Sequence, residues 1–195
     1  MKDLGASHTP LAMALPGHDR LARKVVLVLM GALLVAASAQ VSVPMWPVPM
    51  TLQTLAISVI GLTLGARLAA ATVATYLAQG AMGLPVFAGG AAGAVHLVGP
   101  TGGFLLGFVA MAWMTGLLVE RGWGRGGLRL FVAALVPALL LFVPGVLWLW
   151  TITPLDLTTA VQVGAVPFQL GGLVKSALAA VIVAGGWSVL RRHHG

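Results

Sequence analysis

Six long apolar segments, separated by short polar or glycine- and proline-rich connectors, run through the sequence. They cover approximately residues 25–42, 51–65, 68–84, 101–119, 128–150 and 166–190. A helix needs about 20 apolar residues to cross the hydrocarbon core of a bilayer, and several of the segments approach that length. The pattern therefore predicts an all-α integral membrane protein with six transmembrane helices.

The connectors divide the chain into one membrane domain and two tails. The six-helix domain spans residues 25–190, between an N-terminal tail at residues 1–24 and a C-terminal tail at residues 191–195. Proline, which fixes φ and lacks a backbone donor, predicts an extended connector before the second segment and kinks in the fifth. The prolines at these places are Pro44, Pro47, Pro49, Pro137 and Pro144.

The first apolar segment has two interpretations, a cleaved signal peptide and a retained transmembrane helix. Ala37-Ser38-Ala39, after the apolar core of this segment, resembles the cleavage site of a signal peptide. The polar region before the apolar core is long for a signal peptide, so we favour a retained transmembrane helix. Ala32 and Ala36, four residues apart, place small side chains on one face, which suits close helix packing.

The charges orient these helices. Only 8% of the residues are charged, 59% are hydrophobic, and the mean hydropathy is +1.01. If six helices alternate, ten of the eleven basic residues fall on one side: Lys2, Arg20, Arg23, Lys24, Arg67, Arg121, Arg125, Arg129, Arg191 and Arg192. The positive-inside rule makes this side the cytoplasm, so both termini are predicted to be cytoplasmic, in a plasma membrane that we interpret as a bacterial inner membrane. The basic residues occur in small groups at the helix ends and do not form one basic face, which argues against a nucleic-acid partner. The predicted partner of the apolar surface is the lipid bilayer.

One charge lies inside an apolar segment. Lys175 is about nine residues into the sixth segment, which places it roughly 13 Å from the outer end at the helical rise of 1.5 Å per residue. Intramembrane ionisable groups are usually functional. The alternatives are that Lys175 extends to the outer headgroups, or that it pairs with Asp156 for structural reasons.

Gln53, Tyr76 and Gln79 have depths comparable to that of Lys175 in the outer half of the predicted bundle. Such a group of hydrogen-bonding side chains around one amine predicts an outward-facing pocket for a small polar or anionic solute. Taken singly, each of the three is explained as well by a hydrogen bond between helices.

The sequence lacks the residues for most catalytic chemistry. It has no cysteine, and its four acidic residues, Asp3, Asp19, Glu120 and Asp156, all lie outside the apolar segments. No carboxylate pair, proton relay or metal cluster is predicted, and His96 reads as a loop residue rather than a metal ligand. The chain is therefore predicted to be a binding protein without a cofactor, neither an enzyme nor a pump that supplies its own energy.

Small residues repeat every four positions at the start of the fourth segment, at Gly99, Gly103 and Gly107. Such a ladder allows close helix contact. We favour packing within one chain, and the alternative interpretation is that the ladder forms the contact face of a homo-oligomer.

Several motifs in order resemble the BioY family, the biotin-specific substrate-binding (S) component of energy-coupling factor (ECF) transporters. The resemblance covers about residues 25–190 and rests on Val48-Pro-Met-Thr-Leu-Gln-Thr54, Leu64-Gly-Ala-Arg67, Tyr76, Gly83-Leu-Pro-Val-Phe-Ala-Gly-Gly90, Gly99-Pro-Thr-Gly-Gly-Phe-Leu-Leu-Gly-Phe108, Pro167-Phe168 and Lys175. It implies an S-component bundle that captures biotin on the outer side and hands it inward. The partners it implies are a transmembrane T component and two ATPase subunits, with docking through Ala32 and Ala36.

The resemblance also assigns residues to the site. Lys175, Gln53, Tyr76 and Gln79 become polar ligand contacts, and the loop with Phe87, Gly89 and Gly90 becomes a lid. Family members usually carry an Asp three residues before the Lys of the sixth helix, whereas this chain has Gly172 there. Two other functions remain as alternatives: a stand-alone, oligomeric transporter of biotin or another small solute that needs no ATPase, and a membrane enzyme acting on a lipid.

Overall fold

The computed structural model describes residues 20–193, most of which are helical. Residues 1–19 and 194–195 lie outside the described part, so the predicted tails at residues 1–24 and 191–195 are only partly covered. The helices of the described part are α1 Arg20–Gln40, α2 Gln53–Leu64, α3 Ala66–Ala81, α4 Val95–Val98, α5 Gly102–Leu118, α6 Gly127–Leu140, α7 Phe142–Ile152, α8 Leu157–Gly164 and α9 Phe168–His193.

Each of the six apolar segments predicted from the sequence contains helix, and four stretches are long and apolar enough to cross a membrane. These four are Leu21–Gln40, Gly102–Trp123, Gly127–Ile152 and Phe168–Ser188. Helices α2 and α3 have only 12 and 16 residues and meet at Gly65, which has a φ of 79°. The prediction of an all-helical membrane protein is confirmed at the level of fold class and four candidate spans.

The fifth predicted segment is interrupted, as its prolines indicated. Helices α6 and α7 are separated at Leu141. Pro144 has no N–H for the carbonyl of Leu140 four residues earlier, and its ring crowds that carbonyl, which accounts for the interruption at this point. Pro137, in contrast, is accommodated inside α6.

The connectors carry more structure than the sequence predicted. The proline-rich connector forms an antiparallel pair of two-residue strands, β1 Ser42–Val43 and β2 Met50–Thr51. The two longer connectors, at about residues 86–100 and 151–165, hold the short helices α4 and α8. Asp156 caps α8 by accepting a hydrogen bond from the Thr159 amide at 3.1 Å, and its hydrogen bonds with Thr159 hold the pKa of its carboxyl below the usual value.

The glycine ladder of α5 packs against α7 within the same chain. A Cβ atom on Gly103 would overlap Cβ of Trp148 and would lie 2.7 Å from the carbonyl oxygen of Pro144. A Cβ atom on Gly107 would lie 2.8 Å from Cδ1 of Leu141. The small residues therefore allow helices of one chain to approach each other, as the preferred interpretation of the ladder predicted.

Helix α1 lies against α3 with its small residues turned inward. A Cβ atom on Gly31 would lie 2.6 Å from Cγ2 of Thr72. Ala32 and Ala36, expected from the family resemblance to contact a partner, are 0% and 8% exposed. In this structure both alanines belong to the chain's own core.

Candidate functional site

A cavity of about 220 Å³ lies between α2, α5, α6, α7, α9 and the loop that follows α3. Much of its wall is aromatic, with Phe104, Phe108, Phe142 and Phe168 among the lining residues. The ring of Phe142 lies 6.4 Å from that of Phe104 and 6.1 Å from that of Phe168, centroid to centroid. Such a wall suits the apolar part of a small organic ligand.

Lys175 lies at the cavity and points its amine toward the start of α2. Its Nζ donates a hydrogen bond to the backbone oxygen of Thr51 at 2.9 Å. A protonated amine has three N–H donors, so one bond to Thr51 leaves donors for an acceptor on a ligand. Asp156, considered from the sequence as a structural partner of this amine, caps α8 instead.

Gln53 joins this amine to Tyr76 through a short network. The Oε1 of Gln53 accepts a hydrogen bond from the Thr51 hydroxyl at 2.9 Å, and its Nε2 donates to the Tyr76 hydroxyl oxygen at 2.8 Å. Gln53 is 4% exposed and lines the cavity, whereas Tyr76 is fully buried and does not line it. Tyr76 thus makes a hydrogen bond between helices that fixes the amide of Gln53.

The loop expected to act as a lid covers one side of the cavity. Phe87 is 3% exposed, lines the cavity, and makes edge-on ring contacts with Tyr76 at 5.6 Å and His96 at 5.8 Å between centroids. Gly89 and Gly90 adopt positive φ angles of 69° and 74° and are exposed, and they do not line the cavity.

Two further predicted residues have different positions. Gly172 lines the cavity one helical turn before Lys175, and a Cβ atom there would meet no atom within 4 Å. Gln79 is partly exposed on α3 and does not line the cavity. The structure therefore gathers Lys175, Gln53, Gly172 and Phe87 around the cavity, with Tyr76 directly behind them.

Among the described residues, five polar residues at the cavity or its lid were not predicted to belong to the site: Gln40, Thr51, Thr54, His96 and Thr101. Thr51 bonds both Lys175 and Gln53, and Gln40 bonds the lid. His96, expected to be a loop residue, belongs to α4 and lines the cavity, as does Thr54. Thr51 and Thr54 fall within the recognised run from Val48 to Thr54, so the motif itself was the available signal.

Thr54 differs from the other threonines of the helices. Thr63 and Thr72 each donate to the carbonyl four residues earlier, at 2.7 and 2.8 Å. Thr54 is the second residue of α2, so the residue four positions earlier, Met50, lies outside the helix. Within the described part of the chain, the Thr54 hydroxyl is buried without a hydrogen-bond partner.

Together these groups suit a small ligand that is largely apolar and carries a strong hydrogen-bond acceptor. The aromatic wall can contact an apolar part of such a ligand, and the amine can donate to its acceptor. Across residues 20–193, no three His, Cys, Asp or Glu side chains are grouped so that they could hold a metal ion.

The chain is similar to a family model and to biotin transporters of other organisms. The model of the BioY family matches residues 7–192. A probable biotin transporter of Pyrococcus horikoshii is 35% identical over 161 residues, which cover 83% of this chain and 94% of the relative. A biotin transporter of Thermotoga maritima is 40% identical over 157 residues, which cover 76% of this chain and 86% of the relative.

A solved structure shares the fold. The crystal structure of the S-component for biotin from an ECF-type ABC transporter superposes with a TM-score of 0.74 at 23% sequence identity. The match covers 87% of this chain and 93% of that one. The similarity in fold therefore extends over most of both chains.

Proposed function

Because the chain belongs to the BioY family, we propose that it binds biotin from the outer side of the membrane and delivers it for uptake as the substrate-specific subunit of an ECF transporter. The observation that carries the proposal is the cavity of about 220 Å³ with the Lys175 amine at one side and an aromatic wall. Biotin transporters among the relatives support the identity of the ligand.

The chemistry of biotin fits the groups around the cavity. Its valeryl chain and thiophane ring are apolar, and its carboxylate and ureido carbonyl are strong acceptors. A buried ammonium is costly without an acceptor, so Lys175 binds one of these two oxygen groups, and Gln53 assists from the start of α2. Phe87 covers the bound ligand.

The arrangement in the membrane follows from the charges. Six spans, formed by α1, α2, α3, α5, α6 with α7, and α9, place both termini in the cytoplasm of a plasma membrane, which in a bacterium is the inner membrane. The cavity then opens outward, since the start of α2, the end of α3 and the start of α9 share the outer side.

Uptake requires partners that hydrolyse ATP. This chain has no phosphate-binding loop and few acidic residues, so it is a transport subunit that works with a T component and two ATPase subunits, not an enzyme. Docking at Ala32 and Ala36 themselves requires α1 to move away from α3, since both are buried. The exposed Leu29 and Leu33 are available without that movement.

Two measurements test this function. Calorimetry on the purified protein in detergent is expected to show biotin binding, and a lack of binding would overturn the proposal. Uptake of labelled biotin is then measured in cells that lack every T and ATPase subunit. Binding without accumulation supports the ECF role, whereas sustained transport supports the stand-alone transporter.

Gly172→Asp is expected to strengthen biotin binding severalfold when Lys175 binds the ureido carbonyl of biotin, and to weaken it when Lys175 binds the biotin carboxylate, which the new acid would repel. The new side chain has space, because no atom lies within 4 Å of its Cβ position. Its carboxylate lies three residues before Lys175 on the same helix face and can accept a hydrogen bond from a ureido N–H. Calorimetry at equal protein concentrations measures the change. Gly172→Ala adds the Cβ atom alone, and equal affinities for the two variants would mean that the acid has no role at this position.

A further inference from the structure

One side chain ties the end of α1 to the loop over the cavity. Gln40 is the last residue of α1. Its Nε2 donates to the backbone oxygens of Phe87 at 3.1 Å and Val86 at 3.4 Å, and its Oε1 accepts from the amide of Gly90 at 3.0 Å. A single side chain thus holds both ends of the segment 86–90, which is nearly fifty residues away in sequence.

Only a side-chain amide can make this set of hydrogen bonds. The Nε2 group also donates to the oxygen of Ala36, at 3.1 Å, so three backbone carbonyls surround the nitrogen. Exchanging the nitrogen and oxygen of the amide would set an acceptor against these carbonyls. A carboxylate would lose the same donors, and an aliphatic side chain would lose every bond.

The segment held by Gln40 has little structure of its own. It consists of one 3-10 turn, and its Gly89 and Gly90 have positive φ angles. Glycines in such conformations gain much backbone freedom when a segment is released. Its backbone hydrogen bonds are local ones, from Val86 N to Leu84 O at 2.8 Å, from Phe87 N to Ala91 O at 3.0 Å and from Gly90 N to Phe87 O at 3.1 Å. The Gly90 amide is shared between Phe87 and Gln40, and the contacts of Gln40 tie both ends of the loop to α1.

The segment carries the residue that closes the cavity. Phe87 lies between Tyr76 and His96, and its ring fills the space over Gly80, where a Cβ atom would overlap it. A ligand that leaves past this loop must displace Phe87, and the oxygen of Phe87 is one of the atoms bonded to Gln40.

We propose that Gln40 is a positioning residue that latches the 86–90 loop over the cavity and thereby sets how slowly the bound ligand leaves. This inference rests on the proposed function for the identity of the ligand, biotin, but the latch itself does not depend on it. Gln40 touches the loop and not the cavity, so it acts through Phe87.

The test separates the latch from the ligand. In the protein without ligand, Gln40→Leu is expected to speed amide hydrogen exchange in residues 86–91 about tenfold and to leave α5 and α9 unchanged. Gln169→Leu is the matched control, because Gln169 bonds only the Ala165 oxygen of the turn before it, at 3.1 Å. Unchanged exchange in the loop of Gln40→Leu overturns the latch, whether or not biotin binds.

Biotin release is measured next, by adding excess unlabelled biotin to protein loaded with labelled biotin. Gln40→Leu is expected to release biotin about tenfold faster, with an association rate that is unchanged or higher. Gln40→Glu, which keeps the size and the acceptor for Gly90, is expected to behave similarly. Faster exchange without faster release in Gln40→Leu overturns the gating role. If the unsubstituted protein binds no biotin, the proposed function is overturned, and faster exchange in Gln40→Leu still supports the latch.

Discussion

Replacing Lys175 with methionine is expected to weaken biotin binding about 100-fold. Methionine keeps the length and apolar stem of the side chain and removes its charge and all three donors. Hydrogen bonds to charged groups contribute about 1.5–3 kcal/mol, and each 1.4 kcal/mol corresponds to a factor of ten in affinity. Calorimetry on the purified variant measures the loss.

The variant is expected to remain folded, because the amine has one bond within the chain, to the oxygen of Thr51. Lys24→Met makes the same chemical change on the exposed surface of α1 and is expected to leave affinity unchanged. If Lys175→Met bound biotin as tightly as the unsubstituted protein, the polar end of the site would have to lie elsewhere in the cavity.

The sequence located the polar residues around the cavity better than the apolar ones. Lys175, Gln53 and Tyr76 stand out because each is a polar residue in an apolar segment, and helix depth alone placed them at one level. The structure links them through Thr51, with bonds of 2.8 to 2.9 Å. The same reasoning also selected Gln79, which does not line the cavity. Depth along the helix does not specify which face of α3 meets the cavity.

The aromatic wall and the latch had a weaker signal. Phe104 and Phe168 fall within motifs that carry the family resemblance but, like Phe142, are ordinary residues of a membrane helix, and only the packing of α5, α7 and α9 brings the three to one cavity. Gln40 stands at the end of an apolar segment, where a polar residue is expected at a membrane boundary. Its contacts, nearly fifty residues away in sequence, depend on the path of the loop after α3.

The fold was predictable where local chemistry decides it. Six hydrophobic segments and the prolines near Leu141 gave the helices and the interruption between α6 and α7. The short helices α4 and α8 were missed because their sequences lie between glycines and prolines. The spacing of Ala32 and Ala36 predicted a close helix contact, but small residues do not identify the contacting partner, which in this structure is the chain's own core.

Gly103→Ala is expected to lower the melting temperature of the protein in detergent by about 10 °C, since overpacking a close contact costs about 1–3 kcal/mol and 1 kcal/mol shifts a chain of this size by about 2–4 °C. The added methyl would overlap Cβ of Trp148 and lie 2.7 Å from the oxygen of Pro144. Neither atom can turn away, because one is the root of its side chain and the other belongs to the backbone. Helix α7 must therefore move as a unit. A thermal unfolding curve measures the change.

The same substitution at Gly186 on α9 is the matched control, and its effect is expected to have the opposite sign. A Cβ atom at Gly186 meets nothing within 4 Å, so Gly186→Ala brings only the higher helix propensity of alanine, about 1 kcal/mol in a helix interior. Equal shifts for the two variants would contradict the close contact of α5 with α7. A drop at Gly103 together with a small gain at Gly186 would establish that packing within one chain, not helix propensity, requires the glycine ladder.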